Sequence, residues 1–453
     1  QFRKDVIEKI FFRGASSFVR EKLKEAHKRH IHYGGSPYLL EPHLKEGEGG
    51  LRDIQAALWI ARAKLKVKSF EEMLDRGLIT DREYGSLQRS YDFLQRARNE
   101  LHYLSGRRTD VLSFEFQDEV ARLFGYRDSP NFTASERFMR RYYLYTRMAR
   151  DISSAVIKRS LKGRRKTPLA IKRLGGPFVL SDGDIGIIRS GKGLNPFSEK
   201  PGQLMEVFYL SQRYNASLSE RTRELIREST RLINSDFRSS KDISGLLISI
   251  LNSKSRIHET LKAMHETGVL GRYIPEFGRL NVLVLYDLYH KYTVDEHTLL
   301  AVRNLEALRY TRYKKLERLS DILNPLKKPW ILFLALLLHD IGKAVGKGHI
   351  RAGSERIDSV IKRLGLEEEE GERVSFLVKN HLLMSLISER REISDPKVIE
   401  SLALDVGDEE NLKMLYLLSY AHISAVRPGF WTDWKAALLE ELYLRTLYAL
   451  RGE

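Results

Sequence analysis

The run Ile331-Leu332-Phe333-Leu334-Ala335-Leu336-Leu337-Leu338 leads directly into the pair His339-Asp340. The run is apolar on every side of a helix, which predicts a fully buried helix. Two titratable groups at the end of such a helix need partners, because burying them unpaired costs several kcal/mol of free energy. A metal ion would be a partner for both side chains. The residues Ile341-Gly342-Lys343 then turn the chain and add a cation.

Further histidines in the same half of the chain offer additional ligands. The chain has 13 histidines, and six of them follow residue 285. A single histidine at a helix end is more often a cap or a satisfied core residue, so it is the combination that indicates a metal site. Because the candidates are far apart in sequence, a helical bundle must bring them together. The metal ligands predicted from this pattern are His297, His339, Asp340, His349 and His381.

Composition narrows the chemistry of this site. The chain has 453 residues, which fits two or three domains, and it contains no cysteine. Disulfides, thiolate metal sites and cysteine nucleophiles are therefore excluded, and any metal must bind to His, Asp or Glu. The absence of cysteine is typical of a cytoplasmic protein, which is the location we expect.

The charge balance gives a weaker indication of partners. There are 77 basic and 60 acidic residues, a net charge of +17 spread along the chain. A basic surface suits a phosphate-bearing partner, but it is equally compatible with a solvated surface, so charge alone does not predict nucleic-acid binding. No stretch approaches the ~18 consecutive apolar residues of a membrane span, so we expect no membrane partner. The chain starts at Gln1 rather than Met, which is typical of a piece of something longer.

The hydrophobic pattern predicts a mainly α-helical protein with a small β-hairpin insert. Residues 1–165 are predicted to form a helical domain, with a short strand at 38–44 and a capping box at Thr133-x-x-Glu136. Residues 166–235 are predicted to be a linker that contains the hairpin, near 169–190, and further helices. Residues 236–453 are predicted to form an all-helical domain that carries the metal site.

Several phrases of the sequence resemble one known family. These are Tyr38-Leu39-Leu40-Glu41-Pro42-His43-Leu44-Lys45-Glu46-Gly47-Glu48-Gly49-Gly50-Leu51-Arg52-Asp53-Ile54-Gln55, Glu136-Arg137-Phe138-Met139-Arg140-Arg141-Tyr142-Tyr143, His290-Lys291-Tyr292-Thr293-Val294-Asp295-Glu296-His297-Thr298 and Lys379-Asn380-His381-Leu382-Leu383-Met384-Ser385. Together with the His339-Asp340 pair, they are similar to the bifunctional uridylyltransferase/uridylyl-removing enzymes of the nitrogen signal protein PII, whose C-terminal half contains a metal-binding HD domain.

The resemblance implies more domains than the chain displays. The family has a nucleotidyltransferase domain with a Gly-Ser motif and an Asp-x-Asp motif, which should precede Glu41, and two ACT domains after the HD domain. We find neither upstream motif, and Asp182-Gly183-Asp184 lies too far downstream to replace it. The chain therefore resembles a fragment without the transferase core, whose last part would be residues 1–55, and without the ACT domains. Glu41 is a candidate remnant of the transferase site, and the alternative is a residue that orders the following glycine loop.

One ligand position departs from the family. The resemblance implies an aspartate as the last metal ligand, where this chain has His422. The family implies Mg²⁺ or Mn²⁺, whereas a histidine ligand would suit Fe, Zn, Co or Ni better.

The resemblance implies hydrolysis of the uridylyl-tyrosine phosphodiester on PII, with UMP as product and UTP as substrate of the transferase half. In this reaction Asp340 would bridge metals or hold the attacking water, and Lys343 would neutralise developing charge. Two alternatives stay open at this point. One is an HD nucleotidase or cyclic-dinucleotide phosphodiesterase, and the other is a regulatory module whose catalytic site has decayed.

Overall fold

A computed structural model describes residues 14–129, 132–161, 171–188, 195–284, 291–345, 349–390 and 392–452, with the backbone alone at 344–345, 349–355 and 390. The chain folds as two compact units. The first unit comprises residues 1–167 together with 291–293, and the second comprises 168–290 and 294–453. The predicted division at residues 165 and 235 stays a prediction.

Helices are the main secondary structure of the first unit in its described part. Helix α4 begins with a capping box in which Thr80 and Glu83 satisfy each other's backbone N–H groups, and Thr133 and Glu136 form the predicted box before α6. Small and apolar side chains from α2, α6 and the segment between α2 and α4 pack into a shared core, which includes Ala57. The helices of this unit are α1 (Ala15–His32), α2 (Leu51–Leu65), α3 (Phe70–Asp75), α4 (Asp81–Ser105), α5 (Phe114–Leu123) and α6 (Ala134–Leu161).

The predicted strand at residues 38–44 is wrong. The structure has two isolated β-bridges there, Leu39 with Tyr292 and His43 with Val111. The two bridges face different segments of the chain, and between them Pro42 has no N–H group to donate. A continuous ladder therefore cannot form, although the local sequence is apolar enough for a strand.

The second unit opens with a small sheet, which is larger than the predicted hairpin. Its strands are β1 (Lys172–Gly175), β2 (Phe178–Ser181), β3 (Asp184–Ile187) and β4 (Ser217–Leu218). The first three are antiparallel and β4 pairs in parallel with β3. Asp182 and Gly183 form the two-residue turn between β2 and β3, with φ of 53° and 76°, which is the left-handed geometry that Asp-Gly hairpin turns adopt.

The rest of the second unit is helical, so the predicted mainly α-helical fold with a small β insert and a C-terminal helical domain is confirmed. Its helices are α7 (Pro196–Glu199), α8 (Gln203–Arg213), α9 (Glu220–Ser229), α10 (Ser235–Ser239), α11 (Lys241–Leu251), α12 (Ile257–Glu266), α13 (Val269–Tyr273), α14 (Pro275–Gly278), α15 (Val294–Leu308), α16 (Glu317–Leu323), α17 (Pro329–Leu338), α18 (His349–Leu364), α19 (Glu368–Lys379), α20 (Leu383–Arg390), α21 (Pro396–Val406), α22 (Glu409–Val426) and α23 (Asp433–Arg451).

Helix α17 is the centre of this unit. Every residue from Trp330 to Leu338 is buried, as the apolar run predicts. Helix α17 packs against α15, α19 and α22, and α15 packs along α22. In the described part of the chain, no helix combines the length and the apolar character that crossing a membrane requires.

Candidate metal centre

Four helices deliver their histidines to one buried cluster. His297 lies in the first turn of α15, and His422 lies near the end of α22. His339 caps the C-terminus of α17, and His381 lies two residues beyond the end of α19. Because α17 contacts the other three helices, these four side chains meet where the helix ends converge.

The distances within the cluster are those of groups that could share an ion. The imidazole rings of His297, His339 and His422 have centroids 5.0 to 5.5 Å apart, and one nitrogen from each lies within 4.8 Å of the other two. The ring of His381 lies 5.2 Å from that of His339 and 5.7 Å from that of His422. Asp340 lies among them. Its Oδ2 is 3.2 Å from His339 Nε2 and 4.0 Å from His297 Nε2, and its Oδ1 is 4.0 Å from His381 Nε2.

Two of the rings are held in the same way. His339 Nδ1 lies 2.6 Å from the carbonyl oxygen of Leu336, and His381 Nδ1 lies 2.7 Å from that of Val378. Each contact reaches back three residues into the helix that has just ended. A proton on Nδ1 that is donated to the carbonyl leaves Nε2 as a lone-pair nitrogen, and such a bond to the other ring nitrogen is typical of a metal-ligating histidine.

Electrostatics favour the neutral rings of His381 and His422 and the charged carboxyl group of Asp340. Burial and the neighbouring His339 lower the pKa of His381 to about 4. Burial and the other three rings place the pKa of His422 well below its usual range. Burial alone would raise the pKa of Asp340, but His339 and Lys343 outweigh it and hold that pKa well below its usual range. Neutral imidazoles and an ionised carboxylate are the protonation states that bind metals.

Several atoms of the cluster lack a partner among the described residues. His339 Nε2, Asp340 Oδ1 and His422 Nδ1 are buried and make no hydrogen bond there. Buried polar atoms without a hydrogen-bond partner are rare in folded proteins, and three of them in one cluster indicate a ligand-binding site. The nitrogen and oxygen donors present suit a divalent ion of the first transition series, so the residues fit the metal.

The other predicted site residues have different surroundings. Lys343 donates a hydrogen bond to Asp340 Oδ2 at 2.9 Å, so it lies beside the cluster. The backbone of His349 begins α18, but its side chain lies outside the described residues. Glu41 is exposed and its Oε1 accepts a hydrogen bond from the backbone N–H of Phe114, at the start of α5.

One buried contact next to the cluster was not predicted from the sequence. His265 Nε2 lies 3.1 Å from Asp295 Oδ2, and both side chains are buried. Asp295 is only two residues from His297 on α15. The Asp-Glu-His order of residues 295–297 is visible in the sequence, but nothing there indicates which face of the helix Asp295 occupies.

Three family descriptions match consecutive parts of the chain. They are GlnD PII-uridylyltransferase over residues 17–157, uridylyltransferase GlnD third domain over 187–273, and HD domain over 311–418. His339, Asp340 and His381 lie inside the HD match, whereas His297 precedes it and His422 follows it.

Curated relatives match almost the whole chain. A protein of Pseudomonas aeruginosa (strain UCBPP-PA14) is 36% identical over 442 residues, which is 96% of this chain and 49% of the relative. A protein of Burkholderia thailandensis is 36% identical over 443 residues, 97% of this chain and 51% of the relative. A protein of Pseudomonas syringae pv. tomato is 37% identical over 444 residues, 96% of this chain and 49% of the relative.

All three relatives are named bifunctional uridylyltransferase/uridylyl-removing enzyme, and the chain spans about half their length. An HD domain implies a divalent metal, and the buried histidines offer a place for it. With the family descriptions matching both units in order, the chain belongs to the GlnD PII-uridylyltransferase family and carries its central domains and an HD domain.

Proposed function

We propose that this chain hydrolyses the phosphodiester between UMP and a tyrosine of the PII signal protein. The observation that carries the proposal is the buried cluster of four imidazoles and one carboxylate, in which His339 Nε2, Asp340 Oδ1 and His422 Nδ1 have no hydrogen-bond partner among the described residues. The name of the relatives includes a uridylyl-removing activity. The HD domain at residues 311–418 supports the assignment of this activity to the C-terminal half of the chain. PII is then the partner and UMP the product, and UTP would serve the transferase activity that the same name includes.

His297, His339, Asp340, His381 and His422 would hold the metal. When bound, a divalent ion supplies Lewis-acid stabilisation of the phosphoryl oxygens and activation of the attacking water. The Nδ1 contacts of His339 and His381 fix the ring orientation, so both Nε2 atoms stay aimed at Asp340. A site held rigid in this way loses little free energy to reorganisation during the reaction.

Lys343 and Asp340 have distinct tasks in this scheme. The Lys343 ammonium keeps Asp340 ionised through its bond to Oδ2, and it is partly exposed, so an incoming phosphoryl group can reach it. Asp340 would hold the attacking water and take one of its protons, which then passes to solvent. The water oxygen bonds to phosphorus, the bond from phosphorus to the tyrosine oxygen breaks, and the phenolate leaves with the electron pair and takes up a proton from solvent. Because a phenol has a pKa near ~10, the phenolate needs little assistance from a general acid.

The experiment compares two substrates on one preparation. The purified chain with Mn²⁺ or Mg²⁺ is given uridylylated PII or bis-p-nitrophenyl phosphate, and release of UMP or nitrophenol is measured. We expect turnover of uridylylated PII, abolished in Asp340→Ala and retained in Asp321→Ala, an exposed position on α16. Hydrolysis of bis-p-nitrophenyl phosphate without hydrolysis of uridylylated PII would favour the nucleotidase or cyclic-dinucleotide phosphodiesterase. A metal-loaded chain that hydrolyses neither substrate would favour a regulatory module.

A further inference from the structure

A second concave site lies in the helical part of the second unit. It is a cavity of ≈ 440 Å³ whose lining includes three arginines, one histidine and three glycines, and none of its described lining residues is a carboxylate. The arginines are Arg238, Arg272 and Arg279. The volume lies within the ~300–1,000 Å³ of small-molecule binding sites. The metal centre does not use any of these residues.

The three arginines have no acidic partner in the described part of the chain. Arg272 and Arg279 are exposed, and Arg238 is half-buried. Glu276 lies between Arg272 and Arg279 in the sequence, but it forms an ion pair with Arg363. The Arg363 guanidinium donates hydrogen bonds to both oxygens of Glu276, at 3.0 and 2.6 Å. Among the described residues, no acidic side chain forms an ion pair with these arginines, so their positive charge is available to an anionic ligand. Guanidinium groups pair with phosphate through two parallel hydrogen bonds, so three of them form a favourable phosphate site.

A contact between two glycines sets the backbone spacing of two of these arginines. A Cβ atom on Gly278 would lie 2.4 Å from the carbonyl oxygen of Gly271, and one on Gly271 would lie 3.0 Å from Gly278 Cα. Only glycine permits this approach, which packs the short helices α13 and α14 together. Arg272 and Arg279 each directly follow one of the two glycines, so the same contact sets their spacing.

The side chain of His265, which lines the cavity, is held in place by a buried aspartate. His265 Nε2 contacts Asp295 Oδ2 at 3.1 Å, and the same oxygen accepts the backbone N–H of Val282 at 3.0 Å. Val282 has φ of +59°, a conformation that a β-branched residue adopts only under constraint. A strained residue held by a buried carboxylate, beside an open cavity, is typical of a binding site.

The cavity is separate from the metal centre in its geometry. Asp295 and His297 are two residues apart on α15, which places them roughly 200° apart around the helix axis. Asp295 contacts the cavity histidine, whereas His297 faces Asp340. We propose that the cavity is a second binding site, for a phosphate-bearing anion of about the size of a mononucleotide. This proposal does not rest on the hydrolase activity.

The test measures binding by isothermal titration calorimetry with the whole chain in EDTA, so that no metal at the histidine cluster binds phosphate. The probes are UMP, inorganic phosphate and uridine. We expect UMP and phosphate to bind and uridine not to bind, since the arginines recognise the phosphate group. Tighter binding of UMP than of phosphate is expected, because the cavity has room for more than a phosphate.

Substitutions locate the binding. The double variant Arg272→Gln/Arg279→Gln should weaken UMP binding at least ~10-fold, because it removes two charge-assisted contacts. Arg221→Gln, an exposed arginine of the same unit outside the cavity, should leave the affinity unchanged. The proposal is overturned if neither UMP nor phosphate binds, if uridine binds as well as UMP, or if both variants have the affinity of the unsubstituted chain.

Discussion

Two buried aspartates, one in each unit, have opposite surroundings. In the first unit, Asp53 accepts hydrogen bonds from Arg29 and from His30 at 2.9 Å on Oδ1, and from the backbone N–H of Gly49 at 2.8 Å on Oδ2. In the second unit, Asp340 accepts one from Lys343 on Oδ2, and Oδ1 has no hydrogen-bond donor among the described residues. A carboxylate whose lone pairs are filled by its own chain supports the fold. A carboxylate with one oxygen that accepts no hydrogen bond from the described residues, surrounded by imidazole rings, can bind a ligand.

The histidines beside the two aspartates show the same contrast. Burial lowers the pKa of His30, but the hydrogen bond and charge of Asp53 outweigh it and raise that pKa above its usual value. In the second unit, burial and His339 lower the pKa of His381 to about 4. A protonated histidine pairs with a carboxylate, whereas a neutral one has a lone pair for a metal. We therefore expect the Asp53 cluster to stabilise the fold and the Asp340 cluster to bind a metal. Four substitutions test this difference.

The largest effect is expected for Asp340→Ala. Removal of the central carboxylate should lower the hydrolysis rate by about 1,000-fold, a loss of roughly 4 kcal/mol of transition-state stabilisation. The metal-free chain should lose about 1 kcal/mol of stability, because the hydrogen bond to Asp340 that the described residues show comes from the partly exposed Lys343. The rate is followed by UMP release and the stability by urea unfolding in EDTA. Full activity in the variant would remove Asp340 from the site.

The same substitution in the first unit should act on stability instead. Asp53→Ala leaves the buried Arg29 and the partly buried His30 without their carboxylate, which should cost about 3–5 kcal/mol of the free energy of unfolding. The metal content of the folded variant should equal that of the unsubstituted chain. Urea unfolding and metal analysis on one preparation check both statements, and a loss of metal at unchanged stability would reverse the assignment of the two clusters.

His422→Asp should shift metal preference by about tenfold toward Mg²⁺ or Mn²⁺, because a carboxylate adds charge and an oxygen ligand. His422 is buried with its ring 5.0 Å from that of His297. Hydrolysis rates with each ion are compared between variant and unsubstituted chain. An unchanged preference together with a lower melting temperature would mean that His422 is a packed residue rather than a ligand.

The smallest effect concerns His30 and pH. A histidine whose pKa is raised in the folded state stabilises the protein below its unfolded pKa, and the contribution disappears as pH rises through the folded pKa. His30→Gln should therefore cost about 1 kcal/mol at acidic pH, where the His30–Asp53 pair is charged, and less as pH rises above the folded pKa. Urea unfolding of both proteins, from acidic pH to above the folded pKa of His30, gives the difference in their free energies of unfolding. A cost that grows with pH would contradict a protonated His30.

Most residues of the histidine cluster were singled out from the sequence, whereas the arginine cavity was not. Helix α17 was predictable because an unbroken apolar run of this length is stable in water only when every side of the helix is buried. His297 and His381 could be named as ligand candidates from the pattern of histidines, and the structure brings them and His422 together around Asp340. The family resemblance was what placed His422 at the last ligand position. His349 stays a prediction, since its side chain lies outside the described residues.

Features that depend on distant contacts were missed. The fourth strand is two residues long and pairs with β3 across more than 30 positions, so no local pattern indicates it. Residues 38–44 look like a strand by their composition, but their two bridges face separate segments. The arginine cavity depends on the approach of Gly271 to Gly278, which a sequence shows only as two glycines seven positions apart.

Metal content tests the central claim most directly. The unsubstituted chain and the variants Asp340→Ala and Asp53→Ala are each loaded with Mn²⁺ and dialysed. Bound metal is then measured by inductively coupled plasma mass spectrometry. We expect at least one equivalent of metal in the unsubstituted chain and in the folded Asp53→Ala variant, and a large loss in Asp340→Ala. An unsubstituted chain without bound metal, or an Asp340→Ala variant that retains it in full, would contradict the account.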